Sequence, residues 1–191
     1  MVEGIREGLT HCLPEEADMP TLEERIQRLE DIEAIRHLKA RYARYADEKY
    51  TDDHQRKPQA ELDRLADLQA GLFTEDAIWD AGEHFGVCNG RDEIHAFVRK
   101  GAWSFAMHYF LNPQIDIHGD TATGHWMLWQ ACTLTAGDTP CWMAAIEDDE
   151  YRRTPEGWLM SRMTFTLKFM TRFDVPWTQV KNLPFHLQTH G

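Results

Sequence analysis

Cysteine and basic residues are scarce in this chain of 191 residues. The four cysteines form no C-x-x-C pair, and their spacing fits neither a zinc site nor a disulfide framework. Lysine and arginine together number 20 against 32 acidic residues, which gives a net charge of −12. Because binding to phosphate groups requires clustered cations, this composition argues against nucleic acid or an anionic membrane as a partner.

Long apolar runs and familiar cofactor motifs are also missing. No stretch approaches the roughly 20 apolar residues that cross a bilayer, and residues 1–20 carry acidic side chains without the apolar core of a secretory signal. We therefore expect a cytoplasmic protein. The sequence has no G-x-G-x-x-G, P-loop or G-x-S-x-G motif, and its ten histidines show no H-x-H or H-E-x-x-H spacing. These absences predict a protein that uses no nucleotide, no metal and no other cofactor.

The first part of the chain is helical in its pattern. Thr21, with Glu24 three residues later, forms a capping box. Apolar residues then recur at spacings of three and four: Leu22, Ile26, Leu29, Ile32, Ile35, Leu38 and Tyr42. This stripe predicts an amphipathic helix that ends at about Asp47. The polar residues 48–58 predict a loop, and two shorter apolar patterns, at residues 62–72 and 94–98, predict a second and a third helix.

A short strand is predicted at residues 77–80, before the third helix. After residue 103 the pattern changes to that of β-strands throughout. Four long strands joined by tight turns are predicted: Ser104–Ile117, Thr121–Leu134, Trp142–Arg153 and Trp158–Met170. The order predicts an α+β domain over residues 21–172, with three N-terminal helices packed on a curved antiparallel sheet to form a cone. Residues 1–20 are predicted to be an N-terminal arm and residues 173–191 an irregular C-terminal tail.

Three polar residues are candidates for catalysis inside such a cone. Tyr42 lies on the apolar stripe of the first helix, Asp47 ends that helix, and His108 lies among aromatic residues on the first long strand. A carboxylate that accepts a hydrogen bond from one ring nitrogen of a histidine leaves the other nitrogen free to take a proton. Tyr42 and Asp47 are about 140° apart on an ideal helix, so both reach one site only if the helix end frays. Each residue alone also fits a structural role.

Five further residues are weaker candidates for substrate binding: Asn112, Gln130, Lys168, Phe110 and Trp126. Asn112 has the same strand parity as His108, which predicts that it faces the same side. Gln130 and Lys168 lie in the middle of strands. The acidic run at residues 147–150 is predicted to be a solvated strand end.

Several segments resemble SnoaL-like proteins of the NTF2-like superfamily. They are Ile35–Asp47, Leu72–Asp80, Gly90–Phe97, His108–Gly124 and Tyr151–Arg162. The resemblance implies an NTF2-like cone around a deep pocket, usually in a homo-oligomer (dimer or trimer). It also implies an Asp–His dyad, because Asp47 and His108 match the family positions. Tyr42 matches a functional tyrosine of the bile-acid 7α-dehydratases, whereas Gln130 lies where those enzymes carry a carboxylate.

Three functions follow from the resemblance. The first is a cofactor-independent lyase that acts by elimination or retro-aldol cleavage on a bulky hydrophobic substrate, such as an aromatic or polycyclic compound. The second is an isomerase of the ketosteroid isomerase type, which would leave the mass of the substrate unchanged. The third is a non-catalytic small subunit of a ring-hydroxylating dioxygenase, which would not require the two dyad residues to meet.

Overall fold

A computed structural model describes residues 19–176 and 178–179. The helices are α1 (Leu22–Asp47), α2 (Gln59–Ala70), α3 (Gly82–Phe85) and α4 (Arg91–Lys100). The strands are β1 (Phe73–Asp80), β2 (Val87–Asn89), β3 (Trp103–His118), β4 (Thr121–Leu134), β5 (Thr139–Thr154) and β6 (Gly157–Arg172). The predicted arm lies outside the described residues except for its last two, and only the first part of the predicted tail is described.

Helix α1 begins as the capping box predicts. The Glu24 N–H donates to Thr21 Oγ1 at 3.2 Å, and the Thr21 N–H donates to the Glu24 carboxylate at 2.7 Å. The predicted apolar stripe is buried only in its second half, where Ile35 and Leu38 are fully inaccessible. In the first half Leu22, Ile26 and Leu29 are exposed. Helical periodicity therefore gave the correct helix and only part of the correct buried face.

The six strands form one curved, mixed sheet in the order β2-β1-β6-β5-β4-β3. Strands β3 to β6 are antiparallel neighbours, as the short turns between them require. Strand β1 pairs in parallel with β6, so the prediction of a purely antiparallel sheet was wrong. This pairing joins segments about half the chain apart, and local turn signals carry no information about it. The structure also adds the single helical turn α3 to the three predicted helices.

The core lies between the inner face of the sheet and the helices. Buried residues alternate along β4 and β5, as a sheet with one covered face requires. Helix α2 contacts α1 and α4, while α1 packs on β3 and β6 and α4 packs on β1 and β2. Among the described residues, no helix is long and apolar enough to span a membrane.

A buried carboxylate connects α1 to the end of β5 and the start of β6. Asp31 accepts two hydrogen bonds from the guanidinium of Arg153, at 2.7 and 2.8 Å, and one from the indole of Trp158 at 3.0 Å. The Asp31 side chain is 6% exposed and that of Arg153 is 33% exposed. The hydrogen bonds from Arg153 lower the pKa of Asp31, so the carboxylate stays ionised at neutral pH.

Replacement of Asp31 by alanine is predicted to lower the free energy of unfolding by about 2 kcal/mol, because it leaves an arginine and an indole N–H without their buried acceptor. Urea denaturation measures the loss. Asp120, whose side chain is 85% exposed, accepts from the same arginine at 3.0 Å and provides the control. Asp120→Ala should change stability by less than about 0.5 kcal/mol. Equal losses in the two variants would show that the buried Asp31 carboxylate is not the stabilising partner of Arg153.

Candidate active site

The interior of the cone contains a cavity between the C-terminal end of α1 and the inner face of the sheet. Its free volume is about 90 Å³, several times the roughly 10–15 Å³ that one water molecule needs. Seven of its lining residues are aromatic: Tyr42, Tyr50, Trp79, Phe85, Phe97, Trp103 and Phe165. The polar side chains on the wall are those of Lys49, Arg56, Gln69, His108, Gln130 and Glu147. A mainly apolar cavity with a few polar groups is typical of small-molecule sites.

Asp47 and His108 meet at the edge of this cavity. His108 Nδ1 and Asp47 Oδ1 lie 2.6 Å apart. The backbone N–H of His108 also donates to both oxygens of the same carboxylate, at 3.1 and 3.2 Å. The side chains are 14% exposed for His108 and 26% exposed for Asp47. Two residues 61 positions apart are thus joined through both the backbone and the ring of the histidine.

This geometry sets the chemical state of the imidazole. An ionised carboxylate accepts hydrogen bonds, so the proton of a neutral His108 ring lies on Nδ1, facing Asp47. Nε2 then carries a lone pair that can accept a proton. The expectation that Tyr42 and Asp47 reach one site only through a frayed helix end was wrong. Helix α1 is regular through Asp47, and the backbone N–H of Glu48 still donates to the carbonyl oxygen of Arg44.

Tyr42 lies on the cavity wall with its ring against those of Phe73 and Phe110. Burial is the largest cause that raises the pKa of Tyr42 far above its usual value. The hydroxyl therefore stays protonated and can donate a hydrogen bond to an oxygen that gains negative charge.

Gln130 faces the cavity next to His108. The two residues are cross-strand partners on β4 and β3. Gln130 is 1% exposed, and its Nε2 has no hydrogen-bond partner among the described residues. Because buried donors are rarely left unpaired, this nitrogen favours a ligand that carries an acceptor oxygen.

The other four predicted binding residues lie outside the cavity. A β-bulge in β3, where Asn112 has a φ of +49°, reverses the alternation of the strand. Asn112 is therefore exposed and donates to the sulfur of Met127 on the outer face. Lys168 is exposed on β6. Phe110 packs between Tyr42 and the ammonium of Lys39, and the indole of Trp126 donates to a buried tyrosine.

A buried charge cluster below the cavity escaped the sequence analysis. Glu147 and Asp149 are 4% and 2% exposed, and both contact the ammonium of Lys39. The prediction that residues 147–150 form a solvated strand end was therefore wrong for these two. Strand alternation could have identified them, because they share their parity with the buried Met143 and Tyr151.

The predicted loop at residues 48–58 supplies part of the cavity wall through Lys49, Tyr50 and Arg56. Lys49 is 6% exposed and donates to Gln69 Oε1 at 2.6 Å and to the carbonyl of Val98 at 2.7 Å. Both acceptors are neutral. Burial, and then the positive charge of Arg56, lower the pKa of Lys49 to about 7.

The comparisons with known proteins agree with this architecture. A model of the SnoaL-like domain family matches residues 61–164. The crystal structure of LinA type 2, a hexachlorocyclohexane dehydrochlorinase, superposes with a TM-score of 0.66 at 18% identity, over 85% of this chain and 96% of that one. A proposed scytalone dehydratase from Novosphingobium aromaticivorans gives 0.64 at 16% identity, over 80% and 93%.

An NTF2-like protein with a cystatin-like fold, also from Novosphingobium aromaticivorans, gives a TM-score of 0.61 at 25% identity, over 84% of this chain and 95% of that one. No curated protein matches the chain closely enough to count as a relative. The likeness to the solved structures establishes the fold, and the match to the family model covers more than half of the chain.

The buried amine of Lys49 predicts a pH-dependent stability. The folded state gives up the proton at about pH 7, whereas the ordinary pKa of 10.5 applies in the unfolded chain. Between these values the unfolded state binds more protons, so stability rises with pH, by at most about 1.4 kcal/mol per unit. Lys49→Met should remove this slope in urea denaturation near pH 7 and near pH 10. Lys100 is exposed, so Lys100→Met should keep the slope of stability against pH. An unchanged slope in Lys49→Met would show that Lys49 does not cause it.

Proposed function

Because the chain belongs to the SnoaL-like domain family, we propose that it is a cofactor-independent lyase that eliminates a small leaving group from an apolar, oxygen-bearing substrate. The single observation that carries this proposal is the contact of 2.6 Å between His108 Nδ1 and Asp47 at the edge of an aromatic cavity. Similar folds include a hexachlorocyclohexane dehydrochlorinase and a proposed scytalone dehydratase, whose names both describe eliminations.

In the proposed reaction, His108 Nε2 removes a proton from the carbon next to an electron-withdrawing group of the substrate. Asp47 holds the ring in the required tautomer and stabilises the imidazolium that forms. The electron pair of the broken C–H bond forms a double bond, and the leaving group departs from the adjacent carbon.

The donors around the cavity support this assignment. Tyr42 and the Gln130 amide can both donate to a carbonyl oxygen of the substrate, which gains negative charge as the proton leaves carbon. The aromatic wall fits an apolar ring. A non-catalytic subunit would require neither the dyad nor an unpaired donor in a cavity, so these features favour an enzyme.

The test is turnover of a panel of β-chloro ketones, with chloride release as the signal, and β-hydroxy ketones, with product mass and absorbance as the signal. We expect His108→Ala and Asp47→Asn each to lower turnover at least about a hundredfold, which is typical of lost general-base catalysis. A product of unchanged mass would support the isomerase instead of the lyase.

A matched control exists on the protein surface. His125 Nδ1 and Asp148 Oδ1 also lie 2.6 Å apart, but both side chains are largely exposed, at 42% and 60%. The variant His125→Ala should keep full activity. If His108→Ala also keeps full activity, the proposed function is wrong.

A further inference from the structure

Three charged groups lie together in the dry interior below the cavity. The Lys39 ammonium contacts the Glu147 carboxyl and donates to Asp149 Oδ2 at 2.7 Å. The side chains of these three residues are 1%, 5% and 0% exposed, respectively. With both carboxyls ionised, the cluster would carry a net charge of −1 away from water.

Such an unbalanced buried charge is costly, and like-charged carboxyls close together cannot both ionise readily. Uptake of one proton by one of the two carboxyls makes the cluster neutral. The aspartic proteases, in which two carboxyls share one proton, follow the same rule.

The hydrogen bonds indicate which carboxyl keeps its charge. Asp149 Oδ2 accepts from Lys39 and also from the Tyr151 hydroxyl at 2.7 Å, and Tyr151 in turn accepts from the Trp126 indole at 2.9 Å. Among the described residues, Glu147 accepts a hydrogen bond from Lys39 alone. The anion is therefore better stabilised on Asp149, and the proton belongs on Glu147.

Burial is the largest cause that raises the pKa of Glu147, and the charge of Asp149 adds to it, against the opposing effect of Lys39. A protonated His108 acts in the opposite direction and lowers the pKa of Glu147. The arrival of a proton on the histidine thus makes Glu147 a stronger acid at the moment when a leaving oxygen needs a proton.

Glu147 is also placed to reach a ligand, because it lines the same cavity as His108 and Tyr42. The tyrosine is a poor proton source, since its hydroxyl stays protonated well above neutral pH. The Lys49 nitrogen, also on the cavity wall, already donates to Gln69 Oε1 and to the carbonyl of Val98. For a hydroxyl leaving group, the cavity therefore contains a base in His108 and needs an acid.

We propose that Glu147 is a second catalytic residue, a carboxyl kept neutral in the resting site, which protonates the leaving oxygen while His108 takes the proton from carbon. This inference rests on the proposed function. The C–H bond breaks with its proton going to His108, the C–O bond breaks with its electron pair going to oxygen, and the proton of Glu147 completes a water molecule. The proton on His108 returns to Glu147 through water, so the net products are an alkene and water.

Lys39 and Asp149 are positioning residues in this arrangement, and Gly124 leaves room for it. A Cβ added at Gly124 would lie 2.9 Å from the ring of Tyr151 and 3.0 Å from the indole nitrogen of Trp126. Any larger residue would displace the hydrogen-bond chain that stabilises the negative charge on Asp149.

The first experiment compares a β-hydroxy ketone with the matching β-chloro ketone. Chloride leaves without a proton, whereas hydroxide needs one. We expect Glu147→Gln to lower turnover of the hydroxy compound at least about a hundredfold and to leave chloride release nearly unchanged, while His108→Ala loses both. If Glu147→Gln lowers both rates equally, or lowers neither, the catalytic role of Glu147 is overturned.

The second experiment needs no turnover. Infrared difference spectra at neutral pH should show the carbonyl stretch of a protonated carboxyl in the wild type. The control variant Tyr42→Phe should keep this band, and Glu147→Gln should lose it. The variant Glu147→Gln should also keep the thermal stability of the wild type, because it replaces a neutral carboxyl group by a neutral amide. If Asp149→Asn removes the band and Glu147→Gln does not, Glu147 is ionised at rest and the proposal is wrong. A wild type that converts neither ketone would overturn the proposed function, and with it the catalytic role of Glu147, even where the infrared result places a proton on this residue.

Discussion

The hydrogen bond between His108 and Asp47 is the interaction on which the candidate site depends. It joins the last residue of α1 to the inner face of β3 and closes a loop of 61 residues. The carboxylate accepts from the ring and from the backbone of the same histidine, so it fixes both the position of the residue and the tautomer of its ring. Only with that tautomer does a neutral imidazole present a basic nitrogen to the cavity.

The surrounding structure keeps this pair partly dry and supplies the other polar groups. Curvature of the sheet brings side chains of β3, β4 and β5 to the same cavity as those at the end of α1. Charged groups are tolerated here because each has a partner: Asp31 has Arg153 and Trp158, and Lys39 has the carboxyl groups of Glu147 and Asp149. The buried amide nitrogen of Gln130 has no hydrogen-bond partner among the described residues, which is why we connect it with a ligand.

Local sequence signals predicted most of the helices and strands and the places of Asp47 and His108 within them. The capping box fixed the start of α1, and the end of its apolar stripe indicated Asp47 as the last helical residue. That His108 meets Asp47 could not come from local patterns, because no periodicity specifies a contact across 61 residues. The resemblance to the SnoaL-like family supplied that expectation, and the family match confirms the membership.

The misplaced residues have definite physical reasons. A single bulge at Asn112 reversed the alternation on which its placement relied. A run of acidic residues usually predicts solvent exposure, but Glu147 and Asp149 follow Met143 and Ala145 with the parity of a buried face. The parallel pairing of β1 with β6 is a long-range contact that no turn motif in the sequence predicts.

Nitrogen-15 NMR of the histidine side chains tests the central interaction most directly. The His108 signals are assigned by comparison with His108→Gln. If Asp47 orients the ring, the neutral form of His108 carries its proton on Nδ1 in the wild type and loses this preference in Asp47→Ala. A neutral His108 with its proton on Nε2, or a tautomer that is the same in both proteins, would show that Asp47 does not prepare this histidine to act as a base.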